Sequence, residues 1–269
     1  MKALILAAGY ATRLYPLTKD FPKPLLEVAG RPIIDYIADK LEVLPGITEI
    51  IVVTNSKFFA FFKGWAEARS CRIGINVVDD LTLTPDDRRG AIGDLAFILE
   101  QQDAVEDFLV IGGDNLFEEG LDDFLRFSLE KIPAPVIGAF DIKDKEKAGK
   151  YGVIQLDNEQ VVDFQEKPKH PLSTIVGMCV YYFPKATLGL VREYLNQGNK
   201  KDALGFYIDW LRKKETVWGF VFSGRWYDIG HPDSYKEADA CFRAAGKGTQ
   251  SEISSKTLKR KKGRSNDGT

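Results

Sequence analysis

The sequence predicts an α/β fold in which a mostly parallel sheet carries helices on both faces and a smaller group of mixed strands forms a lid. Short apolar runs alternate with helically spaced stretches through the first half of the chain, as they do in strand–helix–strand units. The chain opens on an apolar run, Ala3-Leu4-Ile5-Leu6, that leads into a turn of small residues. The second half has shorter and more mixed strands, which indicate the lid.

Apolar periodicity predicts the elements of the first half in order. A helix over residues 32–44 places Ile33, Ile37 and Leu41 on one face, and Pro32 suits its first turn. Two further helices are expected at residues 58–68 and 93–101. Buried strands are expected at residues 3–6, 49–53, 75–78, 107–111 and 136–140. Because these strands alternate with helices, their sheet should be mostly parallel.

The second half is predicted to begin with a hairpin. Its strands, residues 151–156 and 161–165, flank Asp157-Asn158, a pair of residues typical of turns. Further strands are expected at residues 175–183, 217–222 and 226–229. Helices are expected at residues 184–196, 206–213 and 231–245.

Composition limits the classes of protein to consider. Of 269 residues, 44% are apolar and the net charge is −2, so nothing favours binding to nucleic acid or to a membrane surface. No apolar run approaches the ~18 residues of a membrane span. The three cysteines, Cys71, Cys179 and Cys241, lack metal-site spacing and fit reduced thiols in a cytoplasmic protein. Because only two histidines are present, catalysis is expected to depend on Lys, Arg and Asp.

The composition changes near residue 247, and we expect a domain boundary there. Residues 1–246 should form one domain. Residues 247–269 contain few large apolar side chains and a basic cluster at 259–262, so this tail is expected to be disordered. A contact with polyanions and a solvated tail without function both stay open, and the second is favoured.

The loop after the first strand is a candidate phosphate-binding site. Residues 7–12 are mostly small, so a phosphate can approach their backbone N–H groups. Arg13 and Lys23 supply two cations nearby in the sequence. At the carboxyl end of a first strand, this pattern indicates a cradle for a nucleoside triphosphate. A plain turn without a ligand is the alternative.

Two aspartates follow predicted strands. Gly112 and Gly113 precede Asp114, and Trp226-Tyr227 precede Asp228. Carboxylates from two strand ends can hold one Mg²⁺, which takes hard oxygen ligands and keeps water and phosphate oxygens in its shell. Each aspartate could instead cap a helix or a turn.

A third segment adds a fixed cation. Glu166 and Lys167 follow a predicted strand and precede Pro168, so the turn should hold Lys167 in place, where it can bind a phosphate. Glu166 could accept hydrogen bonds from sugar hydroxyls, although a surface ion pair between the two residues is equally compatible. The whole set contains cations and carboxylates but no nucleophile supported by a base, which suits phosphoryl or nucleotidyl transfer.

These segments, in this order, resemble the sugar nucleotidyltransferase family, the nucleoside-diphosphate-sugar pyrophosphorylases, which include glucose-1-phosphate thymidylyltransferases and mannose-1-phosphate guanylyltransferases. The match covers residues 1–240 and rests on LAAGYATRLYPLTKDFPKPLLEVAGRPII, EIIVV, GGDN, KYGVIQLD, FQEKP, VGMCVYYF and WYDIG. The resemblance implies a Rossmann-like sheet of the GT-A-like nucleotidyltransferase fold with a sugar-binding lid. It also implies that a sugar 1-phosphate attacks the α-phosphorus of an NTP and that pyrophosphate leaves.

The resemblance also implies roles by position. The catalytic residues would be Arg13, Lys23, Asp114 and Lys167. The nucleotide would be bound by Leu6, Ala8, Gly9, Thr12, Arg13, Lys23 and Gly90. The sugar phosphate would be bound by Gly152, Glu166, Lys167, Gly177 and Trp226, and Mg²⁺ would be held by Asp114 and Asp228.

Two departures from the family pattern concern the nucleotide. Relatives often have a second glycine where this chain has Ala11, and alanine suits the position only if its φ is negative, which we expect. Residues 86–89 look like an insertion before Gly90, in the stretch where relatives read the base, so the identity of the base does not carry over.

The expected substrates are an NTP and a hexose 1-phosphate. Glucose 1-phosphate with dTTP or UTP is the first expectation, and mannose 1-phosphate with GTP is the second. Two alternatives stay open: a catalytically inactive regulatory or binding subunit on the same fold, and a cytidylyltransferase for a non-sugar phosphate. The resemblance is compatible with a homo-oligomer and gives no reason to expect nucleic-acid or membrane partners.

Overall fold

The computed structural model describes residues 1–102 and 106–244. Its strands are, in chain order, β1 Lys2–Leu6, β2 Glu27–Val28, β3 Arg31–Pro32, β4 Glu49–Thr54, β5 Ile75–Asp79, β6 Phe108–Gly112, β7 Asn115–Phe117, β8 Val136–Asp141, β9 Gly152–Asp157, β10 Gln160–Glu166, β11 Ile175–Phe183, β12 Trp218–Phe222 and β13 Trp226–Asp228. The helices are α1 Ile33–Val43, α2 Phe59–Ala68, α3 Ala91–Gln101, α4 Asp122–Glu130, α5 Lys145–Ala148, α6 Gly189–Asn196, α7 Leu204–Leu211 and α8, residues 232–244. The predicted boundary after residue 246 and the tail at 247–269 lie outside the described residues.

Nine of these strands form one twisted layer in the order β5-β4-β1-β6-β11-β8-β12-β10-β9. The first four are mutually parallel, and helices connect them across the sheet. β11 runs antiparallel between β6 and β8, β12 is parallel to β8, and the β9–β10 hairpin forms the far edge. This arrangement confirms the predicted α/β, GT-A-like class.

The mixed strands of the second half extend the sheet; they were expected to lie over it. β11 shows why, since its run IVGMCVYYF is nearly continuous in apolar residues and its last four residues are buried. Such a run requires cover on both faces and backbone partners on both sides, which only the middle of a sheet supplies. The register of β11 against β8 shifts between Gly177 and Tyr181, and Cys179 within that bulge has φ 55°.

Helices cover both faces, as predicted. Side chains alternate along β1, so Ala3 and Ile5 contact one apolar cluster and Leu4 contacts the other. The first cluster is completed by α1, α2 and α4, and the second by α3, α6 and α7. A smaller cluster beneath α8 contains Leu14 and Ile229. Within the described part of the chain, no helix is both long enough and apolar enough to cross a membrane.

Several local features differ from the sequence prediction, among them the short elements β2, β3, β7 and α5, which were not predicted. α4 was not predicted because its sequence, DDFLRFSLE, is largely polar; only Phe124, Leu125 and Ser128 are buried. The hairpin turn consists of Asn158 and Glu159, both at positive φ, while Asp157 pairs with Gln160 as the last residues of the two strands. Positive φ at both central residues gives the turn the twist that a two-residue hairpin requires.

Candidate active site

A cleft lies at the carboxyl ends of β1 and β6, where parallel sheets bind ligands. One part, the loop-side cavity, has a volume of ≈ 560 Å³ and is lined by the loop after β1 and the start of α3. The other part, the hairpin-side cavity, has a volume of ≈ 320 Å³ and is lined by the β9–β10 hairpin, β11 and β13. Arg13, Asp114, Lys167 and Asp202 line both cavities, so the two parts meet at charged side chains.

The loop after β1 is fixed by the neighbouring strand β4 and the residue that follows it. Ala7 N–H donates to Val53 O (2.8 Å), and the buried Asn55 Nδ2 donates to Ala8 O (2.9 Å). A Cβ on Gly9 would meet no protein atom within 4 Å. The backbone at Gly9 therefore borders open space, as the prediction of a phosphate cradle requires.

Ala11 does not have the negative φ that the sequence analysis expects. Its φ is 48° and its ψ is 42°, in the left-handed region. Its carbonyl oxygen accepts hydrogen bonds from Thr18 Oγ1 (2.7 Å) and Leu14 N–H (2.9 Å). The expectation was wrong because these contacts fix a turn in which alanine is strained and glycine would not be.

Ala11→Gly should therefore stabilise the protein. The left-handed conformation costs an L-residue ~1–2 kcal/mol, and part of this gain is lost to the greater freedom of glycine in the unfolded chain, so we expect a net gain of about 0.5–1 kcal/mol. Urea unfolding measures it. Ala240→Gly, at an exposed position inside α8, is the matched control and should lose about 1 kcal/mol. A loss of stability in Ala11→Gly would contradict the strain at Ala11.

Asp114 follows β6 and forms an ion pair with a lysine from the first loop. Lys23 Nζ lies 2.5 Å from Asp114 Oδ2. Two glycines allow this close packing: a Cβ on Gly112 would lie 3.2 Å from Asp114 Oδ1, and one on Gly113 would lie 3.0 Å from Leu6 O. Burial raises the pKa of Asp114, but the charge and the hydrogen bond of Lys23 lower it more, so the pKa lies below its ordinary value. Asp114 is therefore ionised at neutral pH.

Asp228 is the second carboxylate at the same place. It ends β13, which pairs with β7, and it lines the hairpin-side cavity together with Asp114. Burial, and after it the negative charge of Asp114, raise the pKa of Asp228. The two carboxylates thus oppose each other's ionisation, and a cation between them would relieve that repulsion.

Asn115 holds the wall of the hairpin-side cavity. Its Oδ1 accepts a hydrogen bond from Trp226 Nε1 (2.6 Å), and its Nδ2 donates to Met178 O in the β11 bulge. The ring centre of Trp226 lies 5.3 Å from that of Tyr151. The role of Asn115 could not be predicted from local sequence, because its partners lie 63 and 111 residues away along the chain.

Glu166 and Lys167 form the opposite side of this cavity. A Cβ on Gly152 would lie 3.2 Å from Glu166 Oε2, and one on Gly205 would collide with the same atom. Lys167 Nζ lies 3.8 Å from Glu166 Oε1 and its side chain is 59% exposed. Burial raises the pKa of Glu166, and the charge of Lys167 only partly offsets this effect. The cavity thus presents a packed carboxyl group beside an exposed cation.

The cleft gathers nearly all of the predicted site residues. The loop-side cavity is lined by Leu6, Ala8, Gly9, Thr12, Arg13, Gly90, Asp114 and Lys167. The hairpin-side cavity is lined by Gly152, Glu166, Gly177, Trp226 and Asp228, besides the shared residues. Lys23 is absent from both linings; it is 7% exposed and reaches the cleft through Asp114. The roles of these residues in binding and catalysis stay predictions.

Three further acidic residues line the cleft although the sequence did not predict them: Asp80, Asp94 and the exposed Asp202. Asp80 and Asp94 are 1% and 5% exposed and border the loop-side cavity. The sequence held a clue to Asp94. This residue lies on the apolar, buried face of α3 beside Leu95 and Ile98, where a charged residue is unusual. Arg89 of the predicted insertion donates from Nε to Asp80 O (2.6 Å).

This cleft is formed by segments drawn from almost the entire described chain, and the same span matches a known family. Residues 2–244 match the family model described as Nucleotidyl transferase. The chain belongs to the nucleotidyl transferase family. The loop-side and hairpin-side cavities of this nucleotidyl transferase therefore lie in the matched region.

Its relatives by sequence include proteins that are longer. It is 31% identical over 242 residues to "Bifunctional protein GlmU" of Methanocaldococcus jannaschii, covering 89% of this chain and 53% of that protein. It is 30% identical over 239 residues to "Putative mannose-1-phosphate guanyltransferase" of Sulfolobus acidocaldarius, covering 87% of this chain and 61% of that protein. The nucleotidyl transferase thus spans about half, or somewhat more, of the length of these curated relatives.

Solved structures share the fold. A crystal structure described as UDP-glucose pyrophosphorylase complexed with UDP-glucose superposes with a TM-score of 0.75 at 20% identity, covering 91% of this nucleotidyl transferase and 98% of that chain. A Bacillus anthracis structure, described as a glucose-1-phosphate thymidylyltransferase named by similarity ("Putative") in complex with a sucrose, gives a TM-score of 0.72 at 23% identity, covering 90% and 95%. At these identities the likeness shows the fold alone.

Proposed function

We propose that this chain is a Mg²⁺-dependent sugar-1-phosphate nucleotidyltransferase, which joins an NTP to a hexose 1-phosphate and releases pyrophosphate. One observation carries the proposal: two substrate-sized cavities meet at Arg13, Lys167 and the carboxylate of Asp114. A nucleotide in one cavity and a sugar phosphate in the other would bring their phosphates together at these charges. The names of the sequence relatives support the same class of substrate.

The residues at the junction fit a magnesium ion. Asp114 and Asp228 offer hard oxygen ligands, and their mutual repulsion raises the pKa of Asp228. Among the described residues, no group of three or more His, Cys, Asp or Glu side chains could hold a metal. Two carboxylates suffice for Mg²⁺, because this ion commonly takes its remaining ligands from water and from substrate phosphates. When bound, Mg²⁺ would supply positive charge to the reacting phosphate oxygens.

The proposed reaction requires positive charge near the phosphates and alignment of the reacting groups more than it requires proton transfer. The attacking oxygen belongs to a phosphate that is already anionic at neutral pH, so no general base is required. Lys167 stands where both cavities meet and can hold the acceptor phosphate in line with the α-phosphorus. Arg13 can neutralise the departing pyrophosphate, since it lines both cavities and has no ion-pair partner within residues 1–102 and 106–244. Lys23 keeps Asp114 ionised and in position.

Pyrophosphate release tests the proposal. The full chain is incubated with Mg²⁺, each of ATP, GTP, CTP, UTP and dTTP, and a panel of hexose 1-phosphates, with non-sugar phosphates such as phosphocholine as the contrast. We expect release with at least one pair of NTP and hexose 1-phosphate, and none when EDTA replaces Mg²⁺. Release only with non-sugar phosphates, or no release although NTPs bind, would overturn the proposal.

Lys167→Ala should weaken binding of the sugar phosphate selectively. A hydrogen-bonded charge contributes about 1.5–3 kcal/mol, so the KM for the sugar phosphate should rise about tenfold or more, while the KM for the NTP changes less. Lys169→Ala removes a lysine two positions away that is outside both cavities, and should leave both constants unchanged. If the KM for the NTP rises more in Lys167→Ala, the two phosphates have been assigned to the wrong cavities.

A further inference from the structure

Two buried carboxyl groups that the proposed reaction does not use line the loop-side cavity. Asp80 directly follows β5, and Asp94 lies in the first turn of α3. Asp80 Oδ1 accepts hydrogen bonds from the backbone N–H and the hydroxyl of Thr82, each at 2.8 Å. Asp80 Oδ2 and Asp94 Oδ1 are buried without any partner among the described residues. Buried polar atoms without a partner are rare and call for an explanation.

A single proton shared between the two carboxyl groups satisfies both Asp80 Oδ2 and Asp94 Oδ1. The two carboxyl groups are in hydrogen-bonding contact. Burial, followed by the charge of Asp80, raises the pKa of Asp94 to about 8, so Asp94 is largely protonated at pH 7 and donates to Asp80. The cations facing the pair are Arg89, from the preceding loop, and Lys201, from the segment before α7. The pair thus has one net negative charge, and Asp94 Oδ2 is left as an acceptor for the cavity.

The lining of the loop-side cavity offers two chemically different sets of groups. The part near Gly9 and Arg13 offers open backbone and a cation, which suit phosphates. Asp80 and Asp94, on another part of the lining, present acceptor oxygens and one net negative charge with Arg89 and Lys201 facing them, so they suit a hydrogen-bond donor rather than a phosphate. If the proposed function holds, an NTP therefore lies with its phosphates at Arg13 and its base towards the carboxyl pair.

We propose that the Asp80–Asp94 pair selects the base of the NTP, favouring bases that carry an exocyclic amino group over uracil and thymine. Adenine, cytosine and guanine each offer an amino donor to an acceptor oxygen. In uracil and thymine the single imino N–H is flanked by two carbonyl oxygens, and these would face the acceptor oxygen of Asp94 without a hydrogen bond. This inference rests on the proposed function and replaces the earlier expectation of dTTP or UTP with ATP, CTP or GTP.

Calorimetric binding of NTPs tests the inference without any reaction. The full chain is titrated at pH 7 with ATP, GTP, CTP, UTP and dTTP, each with Mg²⁺ and without acceptor. We expect at least one amino-bearing NTP to bind about ten- to a hundredfold more tightly than UTP and dTTP, the range of one good hydrogen-bonded base contact. Equal or tighter binding of UTP or dTTP would overturn the inference.

Three variants show whether Asp94 itself makes the selection. Asp94→Asn mimics the protonated group, because its amide can donate to Asp80 while its oxygen faces the cavity, and it should keep the preference within about threefold of wild type. Asp94→Leu has neither the hydrogen-bond donor nor the acceptor oxygen, and it should lose the preference for amino-bearing bases. Asp86→Asn removes a charge from an exposed position in the preceding loop and should change nothing. A folded Asp94→Leu protein with the wild-type preference would overturn the inference; if this variant does not fold, the wild-type and Asp94→Asn titrations decide.

Binding also separates this inference from the proposed function. Preference for an amino-bearing NTP without pyrophosphate release from any hexose 1-phosphate would support base selection and overturn the proposed reaction. Turnover confined to UTP or dTTP would support the reaction and overturn base selection. A folded chain that binds no NTP would overturn both.

Discussion

Replacing Asp228 with asparagine is expected to lower turnover about 10²–10³-fold while making the fold more stable. The loss follows because one of two carboxylates that would stabilise the charge at the reacting phosphates is removed. The gain follows because burial and the charge of Asp114 raise the pKa of Asp228, so its ionised form is disfavoured in the folded state. Pyrophosphate release and thermal unfolding, the latter in EDTA, measure the two effects.

The raised pKa makes the effect of Asp228 on stability depend on pH. A carboxyl group with a raised pKa costs stability progressively as the pH rises above the ordinary value of 3.8, where the unfolded chain loses its proton first. The stabilisation by Asp228→Asn should therefore be present at neutral pH and vanish in acid. An unchanged turnover would remove Asp228 from the metal site, and a lower melting temperature at pH 7 would contradict the repulsion between the carboxylates.

Asp114→Asn is the matched variant at the first carboxylate. It should also lose turnover, but it should destabilise the fold, because Lys23 would remain 7% exposed without its anionic partner. Because 39% of the Asp114 side chain is exposed to solvent, the cost should lie below the about 3–5 kcal/mol of a fully buried pair. Destabilisation by Asp114→Asn together with stabilisation by Asp228→Asn would show that Lys23 stabilises the charge of Asp114, whereas the charge of Asp228 is disfavoured in the folded protein.

Asp94→Asn is expected to stabilise the protein by an amount that grows with pH. The pKa of Asp94 is raised to about 8 from 3.8, so between these values the folded protein holds a proton that the unfolded chain has released. Wild-type stability should therefore fall with rising pH at up to about 1.36 kcal/mol per unit, and the variant lacks this loss. From pH 5 to pH 8, the advantage of Asp94→Asn should grow by about 3–4 kcal/mol.

Urea unfolding at pH 5, 6, 7 and 8 measures the growing difference. Asp86→Asn carries the same chemical change at an exposed position in the same region, and its stability should follow that of the wild type at each pH. A constant difference between Asp94→Asn and wild type would contradict the shared proton. This outcome would leave the base preference to be judged from the binding titrations alone.

The strand ends of the site were predictable from local sequence. The first strand and its small-residue loop, the glycine pair before Asp114, and the Glu166-Lys167-Pro168 turn are each encoded within a few consecutive residues. The carboxyl ends of strands are where α/β sheets bind ligands, so these motifs could be placed in one cleft before any contact was known. The positive φ of Ala11 could not be predicted from local sequence, because it depends on a hydrogen bond that Thr18 donates to the Ala11 carbonyl oxygen from further along the loop.

The sequence by itself determined the α/β class, the order of most elements and a set of site residues that, apart from Lys23, all line the cleft, because apolar periodicity, glycine positions and short motifs act over short stretches of chain. Only the tertiary structure decided that β11 lies between β6 and β8, that Lys23 binds Asp114, and that Asp80 meets Asp94. The physical reason is that periodicity specifies which face of an element is buried but not its neighbour. The pairing of distant charges, and with it the pKa shifts of Asp114 and Asp228, depends on the strand order.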